Sequence, residues 1–162
     1  MTNKIIGIQG DKLDKINISS DTSIFLAHEA KTLGYKIFYY TPSNLSIIKN
    51  KTYANGVFVK LNYERKKFYK IYKKQKIDVE NLKFILIRQD PPFNSEYLIT
   101  TLILDDLKKA RVINNPVAIR NVSEKLYSKK FTKYMPNTIF SNNIEEVLSL
   151  IHISEPTRLD GI

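Results

Sequence analysis

The amino-acid sequence predicts an α/β protein built around a mostly parallel β-sheet with flanking helices and a β-hairpin. The first observation is the order strand, capped helix, glycine and strand within residues 4–40, which is typical of a βαβ unit. The second is an apolar strand at residues 82–88, followed by a helical pattern and a short strand at residues 111–116. The 162 residues are enough for one domain with a modest core.

The βαβ unit is marked by local signals at the ends of its elements. Residues 4–10 form an apolar strand that stops at a glycine. Asp21 and the two hydroxyl residues after it offer short side-chain oxygens, which accept hydrogen bonds from the free N–H groups of a first helical turn. Gly34 is a candidate helix C-cap, and the next strand, residues 35–40, stops before Pro42. A helix between the two strands is therefore predicted.

A β-hairpin is predicted next along the chain. Two strand patterns, at residues 45–53 and 57–62, flank the segment Ala54-Asn55-Gly56. An Asn-Gly pair tolerates positive φ at both central positions of a two-residue turn. The turn of the hairpin is therefore placed at Asn55-Gly56.

Helical spacing of apolar residues returns in the second half of the chain. It predicts helices at residues 97–110 and 119–134, a short strand at 138–140 and a further helix starting at Ile144. Three apolar side chains of the second of these helices are expected to face inward: Val122, Leu126 and Phe131.

Residues 63–76 alternate lysines with aromatic side chains and permit two interpretations. Charge and ring stacking could bind single-stranded nucleic acid, whereas an exposed strand would use lysines to discourage edge-to-edge pairing. The net charge of +10 raises the same question for the whole chain. The chain is also rich in Ile, Asn and Tyr, which AT-rich codons favour, so base composition explains the charge without an anionic partner. We favour the exposed strand and predict no nucleic-acid partner.

Composition excludes several further classes of protein and site. The chain has no cysteine, so it has neither disulfides nor thiolate chemistry. No apolar run is long enough to cross a bilayer, and residues 1–6 lack the features of a signal peptide, so we expect a cytoplasmic protein without a membrane partner. His28 has no second ligand at suitable spacing, phosphate-binding glycine motifs are missing, and no metal site is predicted.

The most distinctive segment is residues 88–93 (RQDPPF), at the end of a buried strand. In open α/β sheets, ligands bind beyond the carboxyl ends of the strands. A guanidinium such as that of Arg88 binds a carboxylate through two parallel N–H groups, and the Asp-Pro-Pro turn is stiff. An ion pair between Arg88 and a nearby Asp or Glu is the alternative, and spacing does not separate the two. Lys125, taken alone, is a solvated helix lysine.

Several segments resemble the prokaryotic glutathione synthetase family, in order and at matching spacing, over residues 4–147. They include residues 16–23, 87–93 and 112–116, together with Glu124-Lys125-Leu126. The resemblance implies a Rossmann-like, pre-ATP-grasp domain in a cytosolic ligase. Such a ligase joins γ-glutamylcysteine to glycine through an acyl phosphate, using ATP and Mg²⁺, and a homo-oligomer is expected at full length. The alternatives are another ATP-grasp amino-acid ligase and a basic RNA-binding module.

The resemblance also assigns roles and boundaries within this sequence. Arg88 and Asp90 correspond to substrate-binding positions, and Lys125 to the first lysine that reaches the ATP phosphates. Residues 1–122 correspond to the substrate-side domain and residues 123–147 to the start of the ATP-grasp domain. The glycine-rich loop, the second ATP lysine and the metal-binding carboxylates of that domain have no counterpart. We therefore expect no complete catalytic set, no retained ATP or Mg²⁺, and no activity of this fragment alone.

The last fifteen residues have a separate explanation. Residues 148–158 resemble the in-frame translation of a transposase-type sequencing adapter, and residues 159–162 fit a variable index with the start of the next adapter segment. Residues 148–162 are therefore expected not to be native. His152 and the acidic residues near it are not candidates for chemistry.

Overall fold

The computed structural model describes residues 4–61, 68–123 and 125–154. The chain divides between Asn121 and Val122 into two units, and each is described by itself. The domain limits given above, and the separate origin of residues 148–162, remain predictions.

The first unit contains a seven-stranded mixed sheet. Strands β2, β1, β6 and β7 lie side by side and parallel, while β4 pairs antiparallel with β2, β3 and β5. The predicted α/β fold with a mostly parallel sheet and flanking helices is confirmed. In chain order the strands are β1 (Ile5–Gln9), β2 (Lys36–Tyr40), β3 (Leu45–Ile48), β4 (Lys51–Leu61), β5 (Tyr69–Asp78), β6 (Phe84–Ile87) and β7 (Arg111–Ile113). The helices of this unit are α1 (Thr22–Thr32), α2 (Ser95–Asp105) and α3 (Pro116–Asn121).

Both faces of the sheet are covered, because side chains alternate between faces along a strand. On one face, α1 packs on Ile6 and Ile8 of β1 and on Ile37 and Tyr39 of β2. The opposite face forms a second cluster, in which Leu104 of α2 is 1% exposed. The carboxyl ends of β1 and β6 are thus set between two hydrophobic layers.

Helix α1 begins and ends where the local signals predict. The Asp21 side chain accepts hydrogen bonds from the N–H groups of Ser23 at 2.6 Å and Ile24 at 3.3 Å. At the other end, Gly34 has φ of +82° and its N–H donates to the carbonyl of Lys31 at 2.9 Å. The left-handed conformation is strained for residues with a side chain, which is why glycine suits this position.

The hairpin exists, but the predicted turn is wrong. The turn lies at Lys49-Asn50, whose φ angles are 48° and 59°, and Ile48 pairs with Lys51. Asn55 and Gly56 lie inside β4. A Cβ on Gly56 would come within 2.5 Å of the Phe38 ring, so this glycine permits close packing against β2.

Strand β5 is the described part of the lysine-rich segment, and its lysines are exposed as predicted. It pairs with β4 alone among the strands that the structure describes. Residues 63–67 of the segment lie outside the described residues.

Helix α2 is shorter than predicted, ending at Asp105 instead of residue 110. The carboxylate of Glu80 accepts hydrogen bonds from the N–H groups of Lys108, Lys109 and Ala110, at 2.7, 2.8 and 2.9 Å. These N–H groups have a side-chain partner outside the helix, and the chain turns here into β7.

The predicted helix at residues 119–134 is also wrong. Helix α3 ends at Asn121, and in the second unit a 3-10 helix, Leu126–Tyr134, is interrupted by non-helical angles at Phe131. Val122, Leu126 and Phe131 are 44%, 56% and 49% exposed. A helical pattern needs a surface to bury against, and the described side chains of the second unit include no buried one. Residues 138–140 are not a strand, and the last helix is α4 (Ile144–Ser154).

Candidate functional site

The candidate site lies where β1 and β6 end side by side. The chain passes from β1 to β2 on one side, whereas β6 pairs with β1 on the other, so the strand order reverses at this point. Such a reversal opens a crevice at the carboxyl ends of the strands, where open α/β sheets bind ligands. The Arg88 N–H donates to the carbonyl of Gln9 at 2.7 Å, which ties the two strand ends together.

The Arg88 side chain is half-buried and points to the start of α1. Its Nε donates to Ser23 Oγ at 3.1 Å, and its Nη2 donates to Thr22 Oγ1. In the part of the chain that the structure describes, no carboxylate forms an ion pair with Arg88. The alternative of an Asp or Glu partner is therefore not observed there.

Gln9, a polar residue at the end of a buried strand, was not among the predicted site residues. Its side chain is 0% exposed, and its Nε2 donates to Oε1 of Gln89. Gln9 Oε1 has no hydrogen-bond partner among the described residues. Buried amide oxygens are normally paired. The signal in the sequence that could have identified Gln9 is a polar residue at the carboxyl end of an otherwise apolar strand.

Asp90 is exposed and lies in the turn that follows Arg88. Its N–H donates to the Asp11 carboxylate at 3.0 Å, which holds this turn against the loop after β1. Three residues further on, Phe93 packs on Tyr97 of α2 with ring centroids 4.9 Å apart. The structure thus brings Arg88 and Asp90 to the same edge of the sheet.

The pKa values of Tyr39 and Tyr97 are shifted by burial and by the charged side chains around this edge. Burial raises the pKa of Tyr39, and the charges of Asp21, Asp11 and Asp90 raise it further. Burial also raises the pKa of Tyr97, which the positive charge of Arg88 lowers and Asp90 raises. Both phenols are neutral hydrogen-bonding groups at neutral pH, and the Tyr39 hydroxyl donates to the carbonyl of Asp11 at 2.7 Å.

A cleft of about 630 Å³ lies beside this edge. It extends from the loop after β1 to strand β5, and Tyr39 is one of its lining residues. Three lysines and one carboxylate line it: Lys12, Lys74, Lys76 and Asp14. Arg88 is not among its lining residues.

Lys125 belongs to the second unit, is exposed, and precedes the 3-10 helix Leu126–Tyr134. Its carbonyl accepts a hydrogen bond from the N–H of Ser128 at 3.2 Å. Among residues 4–61, 68–123 and 125–154, no three His, Cys, Asp or Glu side chains are grouped to hold a metal ion. Over the same residues, no helix combines the length and apolarity needed to span a bilayer.

Comparison with known proteins agrees with this architecture. The pattern of the family described as "Prokaryotic glutathione synthetase, N-terminal domain" matches residues 5–120. The chain belongs to this glutathione synthetase family. The matched region contains every strand of the sheet and the segment from Arg88 to Asp90.

Relatives of known name support the same family. The chain is 34% identical over 143 residues to a protein named glutathione synthetase from Mesorhizobium japonicum, covering 88% of this chain and 46% of that protein. It is 32% identical over 145 residues to the glutathione synthetase of Agrobacterium fabrum, covering 89% and 46%. For that of Buchnera aphidicola from Acyrthosiphon pisum the identity is 33% over 144 residues, covering 88% and 45%. The chain thus spans about half the length of these glutathione synthetases.

Proposed function

We propose that this chain supplies the γ-glutamylcysteine-binding side of a glutathione synthetase, with Arg88 contacting a substrate carboxylate. The observation that supports this role is a half-buried arginine whose guanidinium has no anionic partner in the described part of the chain. Taking a cation partly out of water is costly unless a counter-charge compensates. A substrate carboxylate would supply that charge at the crevice where α/β sheets bind ligands.

Asp90 is proposed to contribute the complementary charge. Its carboxylate is exposed, two residues from Arg88, and its backbone is held by Asp11. γ-Glutamylcysteine carries both an ammonium group and carboxylates. An arginine and an aspartate on one rigid turn match such a zwitterion, because each charge of the ligand meets an opposite charge.

The rest of the activity is proposed for the whole protein. There, ligation of γ-glutamylcysteine to glycine would proceed through an acyl phosphate with ATP and Mg²⁺, in a cytoplasmic homo-oligomer, and Lys125 would contact ATP. Lys125 is exposed, and the described residues contain no carboxylate cluster that could hold a metal ion. These residues therefore do not form a complete site for ATP and Mg²⁺. No step of phosphoryl transfer is therefore assigned to this chain.

The test is a titration of the ¹⁵N-labelled chain with γ-glutamylcysteine, followed by NMR. We expect shifts at Arg88, Asp90 and Gly10, and weaker binding in Arg88→Lys, because lysine lacks the two-pronged donor. Arg111→Lys is the matched control, since Arg111 is exposed at the start of β7. The same peptide with both carboxyl groups esterified should not bind. Equal binding by wild type and Arg88→Lys would contradict the proposal.

A further inference from the structure

We infer that Thr22 and Ser23 are positioning residues that hold one edge of the Arg88 guanidinium and leave the other edge for a carboxylate. This inference rests on the proposed function, in which Arg88 meets a substrate carboxylate. It adds the direction from which that carboxylate approaches.

The shape of the guanidinium limits how a carboxylate can bind it. The group has two forked edges, each able to donate two parallel N–H bonds: one formed by Nε and Nη2, the other by Nη1 and Nη2. Ser23 Oγ accepts from Nε at 3.1 Å and Thr22 Oγ1 accepts from Nη2, so the first edge is occupied. In the described part of the chain, Nη1 has no acceptor. A carboxylate that binds Arg88 through a fork must therefore use the Nη1/Nη2 edge.

Of the two residues, Ser23 is itself held in place by burial and by the helix cap. Ser23 is 3% exposed, and its N–H donates to Asp21, which caps α1. On the other side, the Arg88 backbone is anchored to Gln9 of β1. The hydrogen bonds from Arg88 to Thr22 and Ser23 thus join the first turn of α1 to the end of β6. The ligand would lie at this strand end.

The choice of hydroxyls has a chemical consequence. A carboxylate at the Nε/Nη2 edge would orient Arg88 equally well, but it would neutralise the charge on which ligand binding depends. Hydroxyl oxygens orient the guanidinium and leave its positive charge available. Ordering a flexible arginine before the ligand arrives lowers the entropy cost of binding.

The inference is tested with substitutions at Thr22 and Ser23 in the 162-residue chain. The readouts are the ¹⁵N resonance of the Arg88 Nε–H and the Kd for γ-glutamylcysteine. Thr22→Val keeps the shape and removes the acceptor, Thr22→Ser restores the acceptor, and Ser23→Ala removes the second one. Thr32→Val is the control, because Thr32 lies on the same helix and its hydroxyl donates only to the Glu29 carbonyl.

We expect Thr22→Val and Ser23→Ala to shift the Arg88 Nε–H signal and raise Kd about tenfold, the effect of losing one hydrogen bond to a charged group. Thr22→Ser and Thr32→Val should bind like the wild type. An unchanged Arg88 signal and Kd in Thr22→Val and Ser23→Ala would overturn the inference. An Arg88 signal that responds to both substitutions, in a chain that never binds the peptide, would instead overturn the proposed function.

Discussion

The carboxylate of Glu80 lies 2.9 Å from the backbone nitrogen of Ala110 and accepts its N–H. Glu80 follows β5 and Ala110 immediately precedes β7, so the contact ties the start of β7 to a segment thirty residues earlier. Burial raises the pKa of Glu80, but hydrogen bonds from the N–H groups of Lys108, Ala110 and Lys109, with the charge of Lys109, lower it overall.

The first prediction follows from the sign of this shift. A carboxyl whose pKa is lower in the folded state stabilises the fold above its unfolded-state pKa and loses that effect as pH falls through the folded-state value. The free energy of unfolding should therefore fall as the pH drops below about 4.5, the ordinary pKa of a glutamate, and Glu80→Gln should flatten that part of the profile. Urea unfolding at a series of pH values measures it. Glu29→Gln, which makes the same change at an exposed glutamate of α1, is the matched control.

The second prediction concerns the glycine inside β4. A Cβ at Gly56 would lie 2.6 Å from the carbonyl oxygen of Tyr39, a backbone atom that cannot rotate away. Gly56→Ala should lower the free energy of unfolding by about 2 kcal/mol, the usual cost of overpacking. Gly34→Asn is the control, because no atom lies near that position and asparagine tolerates its positive φ. Equal losses in the two variants would show that close packing does not set the cost at Gly56.

The third prediction is that the 162-residue chain makes no glutathione by itself. Phosphoryl transfer depends on positioning the nucleotide and its metal, and the described residues contain no metal-binding cluster. Incubation with ATP, Mg²⁺, γ-glutamylcysteine and glycine should yield no product above a sample without protein. Turnover above that background would mean that the chain contains a complete site.

The fourth prediction concerns the exposed lysines of β5. Strand β5 pairs with β4. Aromatic rings lie beside part of this positive surface, and Lys76 Nζ is 5.2 Å from the Tyr53 ring centroid. Such a surface should bind single-stranded RNA only weakly, with the affinity lost at physiological salt. Filter binding at increasing salt concentrations measures it. Tight binding that survives 150 mM salt, roughly the physiological ionic strength, would favour a nucleic-acid-binding function.

Local chemistry explains which elements the sequence could predict. The cap at Asp21 and the glycine at residue 34 act on neighbouring backbone groups, so the βαβ unit could be derived from its own residues. The Asn-Gly signal misplaced the hairpin turn because Gly56 is needed for contact with Phe38, which belongs to another strand. The helix at residues 119–134 was predicted only from the helical spacing of its apolar residues. That spacing does not show whether the fold provides a surface against which the helix can be buried.

In the candidate site too, features set by neighbouring residues could be predicted and features set by distant residues could not. The position of Arg88 at a strand end could be predicted, since the apolar run before it is local. Its partners could not, because Thr22 and Ser23 are 66 and 65 residues away along the chain. Gln9 and Gln89 meet only after β1 and β6 pair, and their contact spans 80 residues. The role of Arg88 toward a substrate remains a prediction.

The pairing of β4 with its neighbours has a consequence for the order of folding. Strands β3, β4 and β5 pair antiparallel with strands that are close in sequence, whereas β1 meets β6 only after a chain closure of about eighty residues. Closing a longer loop costs more entropy and is slower. We expect pulse-labelling hydrogen exchange during refolding to protect the amides of β4 before those of β6. Earlier protection of β6 would show that the strand ends bearing Gln9 and Arg88 nucleate the fold.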